Sequence, residues 1–247
     1  TVEHAHFYES ECARFRKEQP LVESDSIDVI VSNCVLNLVR TDEKKKLFAE
    51  MHRVLKEGGR AIISDIVCDE DPSDAILNDP ELWSGCISGA FREDDFLQKF
   101  IDAGFHAAEI LVRQEEPWHV IDGIEFRSMT VRAYKGEDVP CLERNQAVVY
   151  KGPWKSVTDE EGHVYPRGQR MAVCDKTYNM LTSCCGPYAG QFSGIEPNTE
   201  IPLEEAECYD CSRDNTIRHP RESKGENYRD TIKPADDEDS CSSTGCC

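Results

Sequence analysis

The sequence predicts an α/β chain: an open sheet that is only partly represented, then a small β-containing region, then a polar tail. Three observations carry this. An apolar, β-branched run, Ile27-Asp28-Val29-Ile30-Val31, reads as a buried strand. A helical stripe and a second apolar run follow it, giving a strand–helix–strand unit of the length a parallel crossover needs. Alternation of apolar and polar residues from Glu125 to Lys135 reads as a last strand of the sheet.

In order along the chain, residues 1–24 are polar and mixed, with a thin-faced helix predicted over 9–19. The strand over 26–32 leads to Asn33 and Cys34. In open α/β sheets ligands bind outside the carboxyl ends of the strands, so Cys34 stands where such a fold places chemistry. Thr41 offers an N-cap, and Asp42 and Glu43 suit the positive end of the helix dipole. Leu47, Phe48, Met51, Val54 and Leu55 share one helical face, and Gly58-Gly59 is expected to end the helix. Arg60 to Val67 is the next strand, closing on Ser64-Asp65. A loop with Pro72 and Pro80 carries Trp83-Ser84-Gly85-Cys86-Ile87-Ser88-Gly89-Ala90. A helix over 93–103 buries Phe96, Leu97, Phe100 and Ile101, and Phe105 to Arg113 is a strand. After Gly136 the character changes, with short strands near 147–150 and 170–174 and a turn at 159–163. From about 204 the chain is polar, acidic at Asp236–Asp239, and too poor in apolar residues to bury a core. Domains are therefore expected at 1–136 and 137–203, with a cysteine-bearing, disordered tail over 204–247.

The bulk properties narrow the partners. A net charge of -20 over 247 residues argues against a nucleic-acid backbone or an anionic membrane as partner. No apolar run reaches the roughly 18 residues of a membrane-spanning helix, and no signal-peptide pattern opens the chain. It begins at Thr1 rather than Met, which reads as a processed chain or a fragment. The 13 cysteines are odd in number and not spaced like a secreted disulfide scaffold. Thiols kept reduced for metalloid or redox chemistry in a cytoplasmic setting are the better reading, beside the plain one that some are small buried hydrophobes. No glycine occurs before Gly58. A nucleotide-binding sheet normally opens on a Gly-rich turn, so the first half of such a fold is not represented here.

Taken together, Ser32-Asn33-Cys34-Val35-x-Asn37-Leu38, the helix end Arg53-Val54-Leu55-Lys56-x-Gly58-Gly59, the strand end Ser64-Asp65 and Trp83-x-Gly85-Cys86-x-x-Gly89-Ala90 resemble the arsenite methyltransferase family. The resemblance runs from about 25 to 135 and continues more loosely to the terminal Cys246-Cys247. The Leu-Lys-x-Gly-Gly piece is shared by many methyltransferases, whereas the two cysteine motifs framing it are specific.

The resemblance implies a class I methyltransferase (Rossmann-like) sheet and transfer of a methyl group from S-adenosylmethionine to arsenite. It makes Cys34 and Cys86 the catalytic, As(III)-binding thiols, in keeping with the preference of soft centres for thiolate ligands. Sulfur-bound arsenic keeps a lone pair that attacks the methyl group without a general base, so the protein's task is positioning. Asn33 is expected beside the cofactor methyl group. Glutathione or thioredoxin is the implied reductant. The family's Gly-rich loop and ribose-binding acid have no counterpart in residues 1–24.

Two rival readings stand beside this one: a class I methyltransferase for another small acceptor, and an inactive, truncated chain that binds metalloids or metals through thiols. Trp83 reads as core, and Asp65 as either a loop cap or a site residue. Cys184-Cys185 with Cys208-x-x-Cys211 has poor spacing for zinc, which needs four convergent ligands, so no metal site is expected. Cys246-Cys247 suits arsenic capture or disulfide exchange.

Overall fold

A computed structural model describes residues 18–211 and 216–225, with 11, 14 and 228 besides. The helix predicted over 9–19, the acidic run at 236–239 and the terminal cysteines fall largely or wholly outside the described residues. The chain divides into two compact units, one of 1–139, 158–163 and 183–189, the other of 140–157, 164–182 and 190–247.

In the first unit the apolar run forms β1 (Ile27–Asn33), then a single 3-10 turn over Leu36–Leu38, α1 (Thr41–Val54) and β2 (Leu55–Cys68). β1 and β2 pair in parallel. Two short helices, α2 (Asp74–Leu77) and α3 (Pro80–Ser84), stand in the predicted loop; the Asp79 side chain caps α3 by accepting from the amides of Glu81 and Leu82. Next come β3 (Phe91–Arg92), α4 (Glu93–Asp102), β4 (Phe105–Arg113), β5 (His119–Ile121) and β6 (Ile124–Lys135). The sheet order is β1-β2-β6-β4, with β3 beside β2 and β5 beside β6, and β6 runs antiparallel to β2 and β4. This is the α/β class the sequence predicts.

One face of the sheet carries the main core. Ala61, Ile63 and Val67 of β2 and Met129, Val131 and Ala133 of β6 pack against Phe48 and Met51 of α1 and Phe96 and Phe100 of α4. Phe96 and Phe100 are fully buried, and losing such a ring costs about 3–5 kcal/mol. The opposite face is covered at its far end by Ile76 and Ile87, which pack on Ile66, Cys68 and Phe126. At β1 that face is open. Val29 and Val31 are exposed, Val31 by 70%, and among the described residues no strand pairs with the outer edge of β1.

Two expectations are corrected. Arg40, not Thr41, holds the N-cap position of α1, and no side chain caps it; Asp42 and Glu43 do occupy the first turn. The glycines do not end the helix either. α1 stops at Val54, and the register runs from Ile27 opposite Leu55 to Val29 opposite Arg60. Residues 56–59 are therefore a bulge in β2, and Gly58 supplies its left-handed turn (φ 72°).

The second unit centres on β8 (Ala147–Tyr150), flanked by β11 (Arg170–Ala172) and β12 (Phe192–Ile195), both antiparallel to it. Between them in sequence lie β9 (Ser156–Thr158), β10 (Val164–Pro166) and α5 (Asp175–Thr182), and β7 (Leu142–Glu143) precedes them. The composition after 204 predicts no order, but its described part has structure. β13 (Glu207–Cys208) pairs with β7, and α6 (Pro220–Lys224) follows a buried Arg218. The reason is long-range: Arg218 forms two hydrogen bonds to the Glu143 carboxylate, at 2.7 and 2.9 Å, and a third to Glu222 at 3.0 Å.

Candidate functional site

Cys34 follows the last residue of β1, and its amide donates to the Ser64 carbonyl of β2 at 2.9 Å. The neighbouring strand thus fixes where the turn begins. Cys34 has φ 53° and Cys86 has φ 63°, the left-handed region that side chains other than Gly, Asn and Asp seldom occupy. The Cys86 thiol donates to the Cys34 carbonyl at 3.5 Å, so two residues 52 apart in sequence share one spot. Asn33 is exposed at the end of β1.

The two turns are held from beneath. Asp65, buried in β2, accepts from the amides of Leu36 (2.8 Å) and Asn37 (3.4 Å) and from its neighbour Ile66 (2.9 Å). Of its two sequence readings, the loop cap is the one the contacts describe. Asn37, also buried, donates its amide group to the Ile66 carbonyl (2.6 Å) and the Cys86 carbonyl (3.0 Å), tying the Cys86 turn to the sheet. Gly89 lies flat on this join: a Cβ there would stand 2.0 Å from the Asn37 oxygen. The buried Lys44 ammonium donates to the Gly89 carbonyl and sits 4.3 Å over the Phe91 ring. Trp83, expected in the core, is half-buried.

Partial burial and nearby charge both act on the thiols, Cys34 being exposed and Cys86 half-buried. Burial, then the charge of Asp65, pushes the Cys34 thiol above its ordinary value. Burial, Asp65 and Cys34 do the same for Cys86. Burial lowers Lys44 to about 8, against the opposing pull of Asp65 and Asp95. The Asp65 carboxyl is itself raised by burial, with its three amide donors acting the other way.

A second thiol group appears in the other unit. The sulfurs of Cys141, Cys174 and Cys211 all lie within 4.8 Å of one another. Sequence spacing brings only Cys211 to notice; Cys208 is not in the group, and Cys184 and Cys185 belong to the first unit, where their sulfurs are 3.3 Å apart. None of the described cysteines is in a disulfide.

The parallel β-α-β unit and the mixed sheet make this an α/β domain, and a family described as a methyltransferase domain matches residues 2–104. A family described as a domain of unknown function matches 137–228. The chain is 39% identical over 101 residues to an arsenite methyltransferase of Halobacterium salinarum, covering 41% of this chain and 25% of that protein. It is 31% identical over 170 residues to an arsenite methyltransferase of Aquipseudomonas alcaligenes, covering 63% and 48%. Among solved structures it is similar to an X-ray crystal structure of CrArsM, an arsenic(III) S-adenosylmethionine methyltransferase from Chlamydomonas reinhardtii, at 24% identity and a TM-score of 0.47, covering 79% of this chain and 66% of that one. Over these stretches the chain is similar to members of the arsenite methyltransferase family. It spans between a quarter and about half of the length of these two curated relatives.

Proposed function

We propose that this chain is the arsenic-holding part of an S-adenosylmethionine-dependent arsenite methyltransferase, in which Cys34 and Cys86 bind As(III). The observation that carries the reading is the meeting of two left-handed cysteine turns at the strand ends, with the Cys86 thiol on the Cys34 carbonyl. Arsenite reaches the site as As(OH)3. Each thiol replaces one hydroxide, an As–S bond forms as an As–O bond breaks, and the thiol proton leaves with the hydroxide as water. Nothing is oxidised in this exchange, and the thiol proton needs no separate base because it leaves as water. A reductant of the glutathione or thioredoxin kind, in a cytoplasmic setting, keeps the pair reduced.

The described residues do not fit the methyl donor. Among them β1 is a sheet edge, so the crevice between diverging strands that holds a nucleotide cofactor is not formed. No glycine precedes Gly58 to form a phosphate- or ribose-approaching turn. Asn33, exposed at the end of β1, is the residue this reading assigns to the donor's methyl end, and no methyl-transfer step is assigned to these residues.

The test is an arsenite titration of the reduced chain, reading arsenic retained per protein, with Cys34→Ser and Cys86→Ser beside the parent. Each substitution is expected to remove one tightly held arsenic. Retention of that arsenic by both variants would overturn the reading.

A further inference from the structure

The Cys141, Cys174 and Cys211 thiols are not used by the function proposed above. They come from three separate stretches of the second unit: the residue before β7, the junction of β11 and α5, and the residue three beyond β13. Hydrogen bonds hold Cys141 and Cys174 in place. The Tyr209 amide donates to the Cys141 carbonyl at 2.8 Å, and the Tyr209 hydroxyl to the Ala172 carbonyl at 3.0 Å. The Thr177 amide points at the Cys174 sulfur at 3.4 Å, and the Tyr178 amide donates to the Cys174 carbonyl at 2.9 Å. Cys174 is 1% exposed, and Cys141 and Cys211 are half-buried.

We propose that Cys141, Cys174 and Cys211 form a second arsenite site, in which three sulfurs bind one As(III) independently of Cys34 and Cys86. The ligand number favours it. Trivalent arsenic is satisfied by three ligands in a pyramid, whereas structural zinc takes four. Among the described residues, no fourth Cys, His, Asp or Glu joins the three sulfurs. Charge points the same way. As(OH)3 and three thiols give a neutral tris-thiolate and three waters: three As–S bonds replace three As–O bonds, and each thiol proton departs on a hydroxide. A divalent cation would instead expel three protons and leave a net anion partly buried in a chain of net charge -20, a costly arrangement. That arsenite is the physiological ligand rests on the function proposed above; that a trivalent thiophile fits rests on the three sulfurs alone.

The experiment uses the full chain with Cys34, Cys86, Cys184, Cys185, Cys241, Cys246 and Cys247 replaced by Ser, reduced with a phosphine and loaded with arsenite. One arsenic per chain is expected, with three sulfurs around it by X-ray absorption and a mass gain of one arsenic less three protons. Adding Cys141→Ser or Cys211→Ser is expected to weaken retention at least about tenfold, because the third sulfur acts at high effective concentration. Circular dichroism checks that these variants fold, and the absorption measurement on the background chain needs neither of them. Unchanged retention in both variants, fewer than three sulfurs on the arsenic, or stoichiometric zinc that arsenite does not displace would overturn the proposal. The parent chain separates the two sites. Loss of this site alone leaves the Cys34–Cys86 reading intact, and binding here without binding there leaves only this one.

Discussion

Replacing Gly89 by alanine places a methyl group 2.0 Å from the carbonyl oxygen of Asn37 and 2.8 Å from its carbon. Both are backbone atoms, so no side chain can swing aside. Restoring contacts of about 3.5 Å requires the two segments to part by about 1.5 Å. The hydrogen bond from Asn37 to the Cys86 carbonyl, now 3.0 Å, is then broken. Overpacking costs about 1–3 kcal/mol and the lost bond about 1 kcal/mol more, so the expected destabilisation is about 2–4 kcal/mol. The larger effect is positional. A shift of this size between Cys34 and Cys86 is expected to weaken arsenite binding by the pair by about tenfold to a hundredfold. Gly85→Ala is the control. Its added Cβ meets nothing nearer than 3.5 Å and its φ is -84°, so it should match the parent in both respects. Denaturant unfolding and arsenic retention of the two variants, in a background lacking Cys141 and Cys211, decide the matter. Parent-like retention by Gly89→Ala would refute the claim that the Gly89–Asn37 contact sets the spacing of the thiols.

Asp65→Asn keeps the shape but leaves one of three amide donors facing an NH2 group, and is expected to cost about 2–3 kcal/mol. It should also lower the titration midpoints of Cys34 and Cys86, which Asp65 now raises, as read by thiolate ultraviolet absorbance. Cys68, wholly buried with its thiol on the Phe91 carbonyl, is raised by burial from 9.0 to about 12. The folded value lies above the unfolded one, so the stability it contributes is complete below pH 9 and drains away between pH 9 and 12. Cys68→Ala should flatten that alkaline decline by up to about 4 kcal/mol in unfolding measurements across the range. Val31→Lys, on the open face of β1, should leave the unfolding free energy within about 0.5 kcal/mol and reduce self-association seen by light scattering.

The elements that sequence reading places well are those whose evidence is local. β1, β2, α4, β4 and β6 end within a few residues of where periodicity puts them, because each repeats its pattern over several turns or pleats. Reading failed where the cause lies elsewhere in the chain. Gly58-Gly59 looks like a helix stop until the pairing of β1 shows a bulge. The polar stretch from 204 is ordered by Arg218 reaching Glu143, 75 residues away, which composition does not register. The motifs single out Cys34 and Cys86, but the parts of Asp65, Asn37 and Gly89 in joining their turns needed coordinates. Cys141, Cys174 and Cys211 carry no motif spacing, and only the pairing of β7 with β13 and the packing around Tyr209 brings them together.

The left-handed backbone at positions 34 and 86 sets a direction for sequence drift. Cysteine there is about 1 kcal/mol worse than glycine, and asparagine tolerates the angle better too. A lineage released from arsenic exposure would gain stability by replacing either residue, with no compensating change required nearby. On the function proposed above, glycine or asparagine at these two positions in a relative with the same sheet would mark a protein that has abandoned the metalloid, and the unfolding free energy of Cys34→Gly measures the pull toward that state.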